Sequence, residues 1–447
     1  MQAPRLRRPR VRFLASLLFP LFALLAAAPV PVRANSILQS ASGDSATLGE
    51  VQVTGSKRFA SAEIAPSAGL LLGSAVSRQD LQAGADRLAK LGLFATVQYK
   101  FSSGPRGVIV EYQVTDGPTV PVEFDNFIWM SDAELTDGLK KAGVLFDGTA
   151  PLQGTALDAI SAGLEKLLDA RGVHQQVSHE AAQSAATGER VILFRVEGAD
   201  LPVKSVEFSD DLAKNDPNVQ QRLADVIGKP YSRSHMILFE NEQVRPVYLA
   251  HAFLGVKFGP PSARFASSPS QPVPDSVTAL IAIDRGPAST WSGVTWIGNH
   301  SILSQQLDAL VDFRAGDPAD GNRLEALWLR VQQIYANAGF IDETQVARPQ
   351  FDPHTGRVTF EVTIHEGPQY HMGKLVLTGL SIEGERRIRA AWKIPTGVVF
   401  DDGVYQDFLT QGIRQAFAGY PAHYEKIGRF LDRDAEHAIV NVMIDFQ

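Results

Sequence analysis

Histidine and acidic side chains could bind a metal ion or catalyse hydrolysis, so their spacing is the first question. The chain contains ten histidines, and the closest pairs are His174/His179 and His365/His371. A zinc-binding helix needs two ligands four residues apart on one face, and neither pair has that spacing. The stretch EGPQYH (366–371) places an acid near a histidine without a nucleophile beside them. Because cysteine is absent, thiolate metal sites and cysteine nucleophiles are excluded as well. The sequence therefore predicts that the protein is not an enzyme and binds no metal or cofactor.

Two further patterns are better explained by structure than by chemistry. The glycine-rich stretch FLGVKFGPP (253–261) matches neither a P-loop nor a dinucleotide-binding motif. The paired acids Asp210/Asp211 and Asp401/Asp402 precede predicted helices, where the positive N-terminal end of the helix dipole stabilises a carboxylate. We expect these acids to cap helices rather than to bind calcium.

The first 34 residues differ from the rest of the chain. They contain six arginines, no acid, an apolar run at 13–29 and a small residue, Ala34, at a suitable cleavage point. This order is typical of a secretory signal peptide. A retained membrane anchor is the alternative, although the run is short for a span and contains Pro20. Removal of residues 1–34 would change the formal net charge from −7 to −13. An exported, acidic, cysteine-free chain is expected in the periplasm, and it is not expected to bind nucleic acid.

A repeat organises the remainder of the chain. Two sets of glycines, one after predicted helices and one at the ends of units, recur with spacings of 80–88 residues. The first set is Gly92, Gly172, Gly339 and Gly419, with Phe253 in the same column of the third copy; the second set is Gly117, Gly198, Gly286 and Gly367. Two independent markers with one period indicate tandem copies of a single domain.

Each copy has the pattern of one strand, two helices and two further strands. In the first copy an apolar stripe runs along a predicted helix at 77–92, and Gly92 supplies its left-handed cap. The stripe consists of Leu81, Ala85, Leu88 and Leu91. Two such helices are expected to cover one face of a three-stranded sheet.

The aromatic residues are assigned on the same pattern. Tyr248, Tyr335 and Phe417 lie within the second helices and are predicted to face the sheet. Trp291 and Trp296 flank the start of the fourth copy, where they are expected either at a hinge between units or exposed to a partner.

The repeat resembles the POTRA (polypeptide-transport-associated) domain, most clearly in residues 47–118. The residues that carry the resemblance are Val53, Gly55, Arg58 and Phe59 at the start, Leu93, Phe94 and Val97 at the helix-to-strand passage, and Asp116, Gly117 and Pro118 at the exit. The resemblance implies an α+β fold of five tandem POTRA domains in an extended array, each with β-α-α-β-β order. The predicted bounds are 47–118, 119–200, 201–288 with a Pro/Ser-rich insertion at 260–276, 289–369 and 370–447.

The resemblance extends to the BamA-like family of outer-membrane assembly and translocation proteins. In that family a sixteen-strand β-barrel follows the POTRA array. Here the last stretch, IVNVMIDFQ (439–447), completes the fifth unit, so the sequence predicts no barrel in this chain. Only the substrate- and partner-handling role of the array is carried over.

Backbone groups at sheet edges are the predicted binding sites. An edge strand has unpaired N–H and C=O groups to which an extended segment can add with little demand on sequence. In POTRA domains the second strand is such an edge, which by position gives three predicted partner-binding segments. They are Val97, Gln98, Tyr99, Lys100 and Phe101 in the first unit, Leu254, Gly255, Val256, Lys257 and Phe258 in the third, and Glu343, Thr344, Gln345, Val346 and Ala347 in the fourth.

Together these features predict a non-enzymatic periplasmic scaffold associated with the outer membrane. Its expected partners are unfolded outer-membrane protein precursors, a separate β-barrel subunit or accessory subunits of an assembly complex, bound by β-augmentation. The alternative from another class is a structural envelope protein held by an uncleaved N-terminal helix.

Overall fold

The computed structural model describes residues 46–266, 272–420 and 424–447. These residues form two compact units, the first within Met1–Val122 and Thr136–Leu164 and the second within Glu123–Leu135 and Glu165–Gln447. Helices combine with several small sheets, which confirms the α+β class. The predicted signal segment, 1–34, and residues 267–271 of the predicted insertion lie outside the described residues. In the described ranges no helix is both long enough and apolar enough to cross a membrane.

The N-terminal sheet of the first unit has helices packed on one face. Its elements are β1 (Ala46–Thr54), α1 (Ser61–Ile64), a 3₁₀ turn (Ala65–Ala68), β2 (Ala75–Val76), α2 (Arg78–Lys90), β3 (Phe94–Gly104) and β4 (Gly107–Asp116). The strand order is β2-β1-β4-β3, with β1 parallel and β3 antiparallel to β4. Helix α2 starts after Ser77, which forms a capping box with Asp80.

The predicted apolar stripe of α2 faces this sheet. Leu81, Ala85 and Leu88 are buried in the same core as the inward residues of β4. Tyr112 on β4 is fully buried, and its hydroxyl donates to the Leu81 carbonyl oxygen at 2.9 Å. The bond satisfies the one polar atom that this ring brings into the core.

Gly92 ends the helical region with a φ of 80°, as the predicted left-handed cap requires. A Cβ at this position would lie 2.0 Å from the Gln153 carbonyl oxygen. Gly92 is therefore fixed by its backbone conformation and by a close backbone approach, and it carries no chemistry.

The next part of the chain is shared between the two units. Its elements are β5 (Val120–Phe124), α3 (Asp132–Lys141), β6 (Thr149–Ala150), α4 (Thr155–Asp169), β7 (Val177–Gln183) and β8 (Arg190–Val196). In the first unit β5 pairs antiparallel with β6. In the second unit β7 pairs antiparallel with β8, and the buried side chain of Asn126 exchanges two hydrogen bonds with the Val196 backbone.

Two small sheets follow in the second unit. The elements are β9 (Val203–Phe208), α5 (Asp211–Asn215), α6 (Pro217–Arg222), a 3₁₀ turn (Leu223–Asp225), α7 (Arg233–Phe239), α8 (Arg245–Ala250), β10 (Lys257–Phe258), β11 (Ser262–Arg264), β12 (Val277–Ile281) and β13 (Ile283–Asp284). One sheet has the order β11-β12-β9, and β10 pairs with β13 in the other. Gly259, Pro260 and Pro261 separate β10 from β11, since proline has no N–H with which to continue a ladder.

The next sheet belongs to residues 289–367 and encloses a core rich in aromatic rings. Its elements are β14 (Thr290–Ile297), α9 (Ser304–Asp308), α10 (Gly321–Asn337), β15 (Thr344–Phe351) and β16 (Arg357–His365), with strand order β14-β16-β15. Trp291 is 3% exposed and stacks on Phe313 and Phe360. The expectation that Trp291 lies at a hinge or is exposed is wrong, because it points inward from β14 into this core.

The C-terminal sheet repeats this arrangement. Its elements are β17 (His371–Thr378), α11 (Ile382–Ala391), α12 (Asp402–Asp407), α13 (Ile413–Ala416), β18 (Ile427–Asp434) and β19 (Ile439–Phe446). The order is β17-β19-β18, with β17 parallel and β18 antiparallel to β19.

The predicted caps and helix-borne core residues are mostly confirmed. Asp210 and Asp401 each accept a hydrogen bond from a backbone N–H in the first turn of the helix that follows. Tyr248 and Tyr335 are fully buried, whereas Phe417 is partly buried at the margin of its core. A π-helical segment, Phe408–Gly412, joins α12 to α13 without a gap.

Candidate functional site: the open strand edges

The first predicted binding segment, Val97–Phe101, lies in β3 at the edge of the N-terminal sheet. Among the described strands β3 pairs only with β4. Val97 is buried, whereas Gln98 and Lys100 lie on the outer face of the sheet, where the Lys100 ammonium lies 2.9 Å from a Glu111 carboxylate oxygen. That contact is the main cause of the lowered pKa of Glu111. The outer face beside this edge is thus polar and charged.

The hydrogen-bonding pattern of β3 leaves donors on its open side. Residues 105 and 106 form a two-residue turn that places Gly104 opposite Gly107. In such a hairpin the closing pair is hydrogen-bonded, and inward and outward groups then alternate along the strand. The N–H groups of Tyr99, Phe101 and Ser103 consequently point away from β4 and are available to an added strand.

The second predicted segment, Leu254–Phe258, is mostly not a strand. Leu254 and Gly255 form a turn, Val256 is 4% exposed, and only Lys257 and Phe258 pair, as β10 with β13. The prediction of a five-residue edge strand here is wrong. Pro260 and Pro261 interrupt the pairing after β10, and it begins again at β11. The open edge at β11 is therefore only three residues long.

The third predicted segment, Glu343–Ala347, is divided by burial. Thr344, Gln345, Val346 and Ala347 begin edge strand β15, whereas Glu343 precedes the strand and is 4% exposed. Neither Glu343 carboxylate oxygen has a hydrogen-bond partner among the described residues. Burial raises the pKa of Glu343 to about 7. Glu343 therefore belongs to the protein interior, and a partner at the edge would contact β15 only from Thr344 onward.

Pro349 interrupts the open side of β15. The Asp352 N–H donates to the Arg357 carbonyl oxygen at 2.8 Å, which fixes the alternation of inward and outward groups along β15. By this alternation the nitrogen of Pro349 faces outward, where it offers no N–H. Proline is tolerated at such positions and blunts an edge against strand addition.

A fourth edge, β18, was not among the predicted segments. Lys426 and Gln447 exchange two backbone hydrogen bonds of 2.9 and 3.1 Å just before β18. The alternation from that pair directs the N–H groups of Ile427, Arg429, Leu431 and Arg433 to the open side. The strand contains no proline, and its position as the second strand of its sheet was the sequence signal that could have identified it.

Metal-binding groups are not assembled in the described parts of the chain. No group of three or more His, Asp or Glu side chains there could hold a metal ion. His174 and His437 instead make local contacts of 2.8 Å with Asp169 and Asp434. The candidate binding groups on the described surface are the backbone N–H and C=O groups of the open strand edges. The edges differ in whether a proline removes an outward N–H and in which side chains lie beside them.

Comparison with known proteins identifies one segment directly. The POTRA family model, described as the surface antigen variable number repeat, matches residues 289–367. A search of curated proteins finds no match.

The chain is also similar to solved structures, among them the following three. POTRA domains 3–5 of BamA from Haemophilus influenzae are 12% identical, with a TM-score of 0.43, and the match covers 55% of this chain and 96% of that one. The N-terminal domain of Omp85 from Thermosynechococcus elongatus is 17% identical, with a TM-score of 0.22 and the same two coverages. CdiB from Escherichia coli is 18% identical, with a TM-score of 0.20, and the match covers 36% of this chain and 27% of that one. All three scores are below 0.5, so the assignment depends on the family model. Its match confirms the resemblance for residues 289–367, the fourth predicted unit, so the chain contains a POTRA domain.

Proposed function

We propose that the protein is a non-enzymatic periplasmic scaffold that takes part in outer-membrane protein assembly or translocation. Its five tandem POTRA domains would occupy 47–118, 119–200, 201–288, 289–369 and 370–447. Extended segments of outer-membrane protein precursors, or of assembly-complex subunits, would bind to open strand edges. The solved proteins to which the chain is similar include BamA and CdiB, but the proposal depends on the edges themselves.

The observation that carries this proposal is the open side of β3. This strand has eleven residues, contains no proline and pairs on one side only among the described strands. An unpaired edge of this length would expose a protein to unwanted association unless it is used or protected. Binding of an extended segment would satisfy the outward N–H and C=O groups through main-chain bonds, which require little sequence specificity. A scaffold with many unfolded clients needs such tolerance.

The test uses the full mature chain and an unfolded outer-membrane porin diluted from urea. Hydrogen exchange should show protection of the β3 amides when the porin is added. Phe101→Pro should abolish this protection, because it removes an outward donor at a 44% exposed position while sparing the inward ladder. Lys100→Ala is the matched control, since it changes a neighbouring side chain and leaves the backbone donors in place.

Two results would contradict the proposal. One is porin binding that protects no strand edge, and the other is equal protection of β3 in the native protein and the Phe101→Pro variant. Circular dichroism of both variants establishes that the fold is retained.

A further inference from the structure

The outer face of the C-terminal sheet carries an apolar row that crosses all three strands. Val376 of β17 lies opposite Met443 of β19, and Met443 lies opposite Phe430 of β18. Phe430 is 61% exposed and Met443 is 40% exposed, whereas the neighbours Val442 and Ile444 point into the core. The row is therefore half-buried at Val376, exposed at Met443 and Phe430, and ends at the open edge of β18.

The same row is polar in two other sheets. In each sheet a glycine directly follows the first strand: Gly55, Gly298 or Gly379. The row begins at the residue three positions before that glycine, which makes the rows of the three sheets equivalent. The three rows are Gln52–Glu111–Lys100 in the N-terminal sheet, Thr295–Glu361–Arg348 in the POTRA domain at 289–367, and Val376–Met443–Phe430 in the C-terminal sheet. Because the backbone register is shared, the change from charged to apolar is a property of the side chains alone.

Acidic side chains continue the outer face of β18 beyond Phe430. Asp432 and Asp434 follow at two-residue steps, which places them on the same face. Asp432 accepts a hydrogen bond from the Asn441 amide at 3.2 Å, and Asp434 contacts His437 at 2.8 Å. Asp432 is exposed beside the outward N–H groups of Leu431 and Arg433. The edge thus presents an apolar side chain followed by a carboxylate.

We propose that the β18 edge binds an extended peptide segment with an apolar side chain opposite Phe430 and, two residues along, a Lys or Arg opposite Asp432. This inference rests on the proposed strand-edge function and names the chemistry of the segment. An added strand would extend the Val376–Met443–Phe430 row by one position. The peptide residue opposite Phe430 would become the fourth member of the row, and an apolar side chain there would pack against the Phe430 ring. Directly opposite pairs of this kind stabilise strand pairing, and like charges there oppose it.

The probes are three capped eight-residue peptides, which match the length of β18. The first carries Lys and, two residues later, Val on one face of a threonine background, so that Val lies opposite Phe430 and Lys opposite Asp432 when the peptide adds antiparallel to β18. The second has Glu in place of that Lys, and the third has Thr in place of that Val. Binding to the full mature chain is measured by titration calorimetry, and the site by exchange protection of residues 427–434.

The Val/Lys peptide should protect β18 and bind about fivefold more tightly than the Val/Glu peptide, which is the scale of one cross-strand pair. Asp432→Lys should reverse this preference and Asp432→Asn should remove it. Phe430→Thr should remove the preference for Val over Thr. Arg429→Pro should abolish binding of all three peptides at β18, because it removes an outward donor.

The inference is overturned if the Val/Lys and Val/Glu peptides protect β18 equally, or if Asp432→Lys leaves the preference unchanged. Protection of β3 without any selectivity at β18 would overturn this inference while the strand-edge function stands. Protection of no edge by any peptide or by the unfolded porin would overturn both.

Discussion

The strands β15 and β18 occupy equivalent positions in their sheets and share a backbone arrangement. They differ in their outward N–H donors and in the side chains of the adjacent outer face. Each has eight residues, lies at an edge and pairs antiparallel with the last strand of its sheet. On β15, Pro349 removes an outward donor, and Arg348 and Glu361 make the adjacent row charged. On β18 the donors are continuous and the row is apolar.

This difference shows that a shared fold does not make the edges equivalent. The ladder of backbone bonds positions an edge, whereas proline and outer-face side chains decide what can add to it. Selectivity among clients, if the proposed function holds, would therefore come from a few exposed side chains and not from the cores.

The largest expected effect tests whether the difference is confined to the outer faces. Ile364 and Ile444 are equally buried on the inner faces of the two sheets. Either isoleucine changed to alanine should lower the free energy of unfolding by about 2–5 kcal/mol, since each leaves a cavity in a packed core. Peptide-resolved hydrogen exchange would show the loss in the sheet that carries the substitution.

If one variant loses less than about 1 kcal/mol of the free energy of unfolding while the other loses about 2–5 kcal/mol, the two cores also differ. The solvent-exposed change Met443→Thr is the control for Ile444→Ala. Met443 is adjacent to Ile444 in the chain, but its side chain lies on the outer face, so this substitution should lower the free energy of unfolding less than Ile444→Ala does.

The second effect concerns Glu343, the buried acid that precedes β15. Burial raises its pKa to about 7, so the folded protein holds this proton more tightly than the unfolded chain does. The contribution of Glu343 to the free energy of unfolding should be greatest below about pH 4.5 and should fall by about 3 kcal/mol as the pH rises through about 7. In Glu343→Gln this part of the loss should disappear, while the part due to buried Glu240, whose pKa is raised to about 8, should remain. Urea denaturation followed by tryptophan fluorescence at about pH 5 and pH 8 would detect the difference between the variant and the native chain.

Glu361→Gln is the matched control, because it removes a carboxylate from the outer face of the same sheet. It should leave the pH dependence as it is in the native chain. A Glu343→Gln variant that loses stability between the two pH values as the native protein does would contradict the assignment.

Periodicity and turn chemistry predicted the repeated strand–helix–strand pattern well. The stripe on α2, the cap at Gly92 and the capping acids Asp210 and Asp401 are local features, and local sequence determines them. The sheet order also follows the resemblance, since the second strand is an edge in the N-terminal, 289–367 and C-terminal sheets.

The errors arose where tertiary packing overrides a local pattern. Glu343 was placed on an accessible edge by its position in the second strand of the unit, but it precedes that strand and is buried. Trp291 was expected at a hinge or exposed to a partner because it lies near a unit boundary, yet strand alternation points it inward. Leu254, Gly255 and Val256 were placed in an edge strand, yet the chain turns at Leu254 and Gly255 and pairs only from Lys257.

The smallest expected effect tests the role of Pro349 itself. Pro349→Ala restores an outward N–H in the middle of β15 and changes no buried contact, so stability should change by less than about 0.5 kcal/mol. The new amide should exchange rapidly in the isolated chain, because no described strand accepts its hydrogen bond. With a continuous edge, β15 should gain exchange protection from the unfolded porin, or from self-association at high concentration. Pro353→Ala in the hairpin turn between β15 and β16 makes the same substitution away from the open side and should produce neither change. If Pro349→Ala binds no better than the native chain, the difference between β15 and β18 lies in their outer rows, and the missing donor is not the cause.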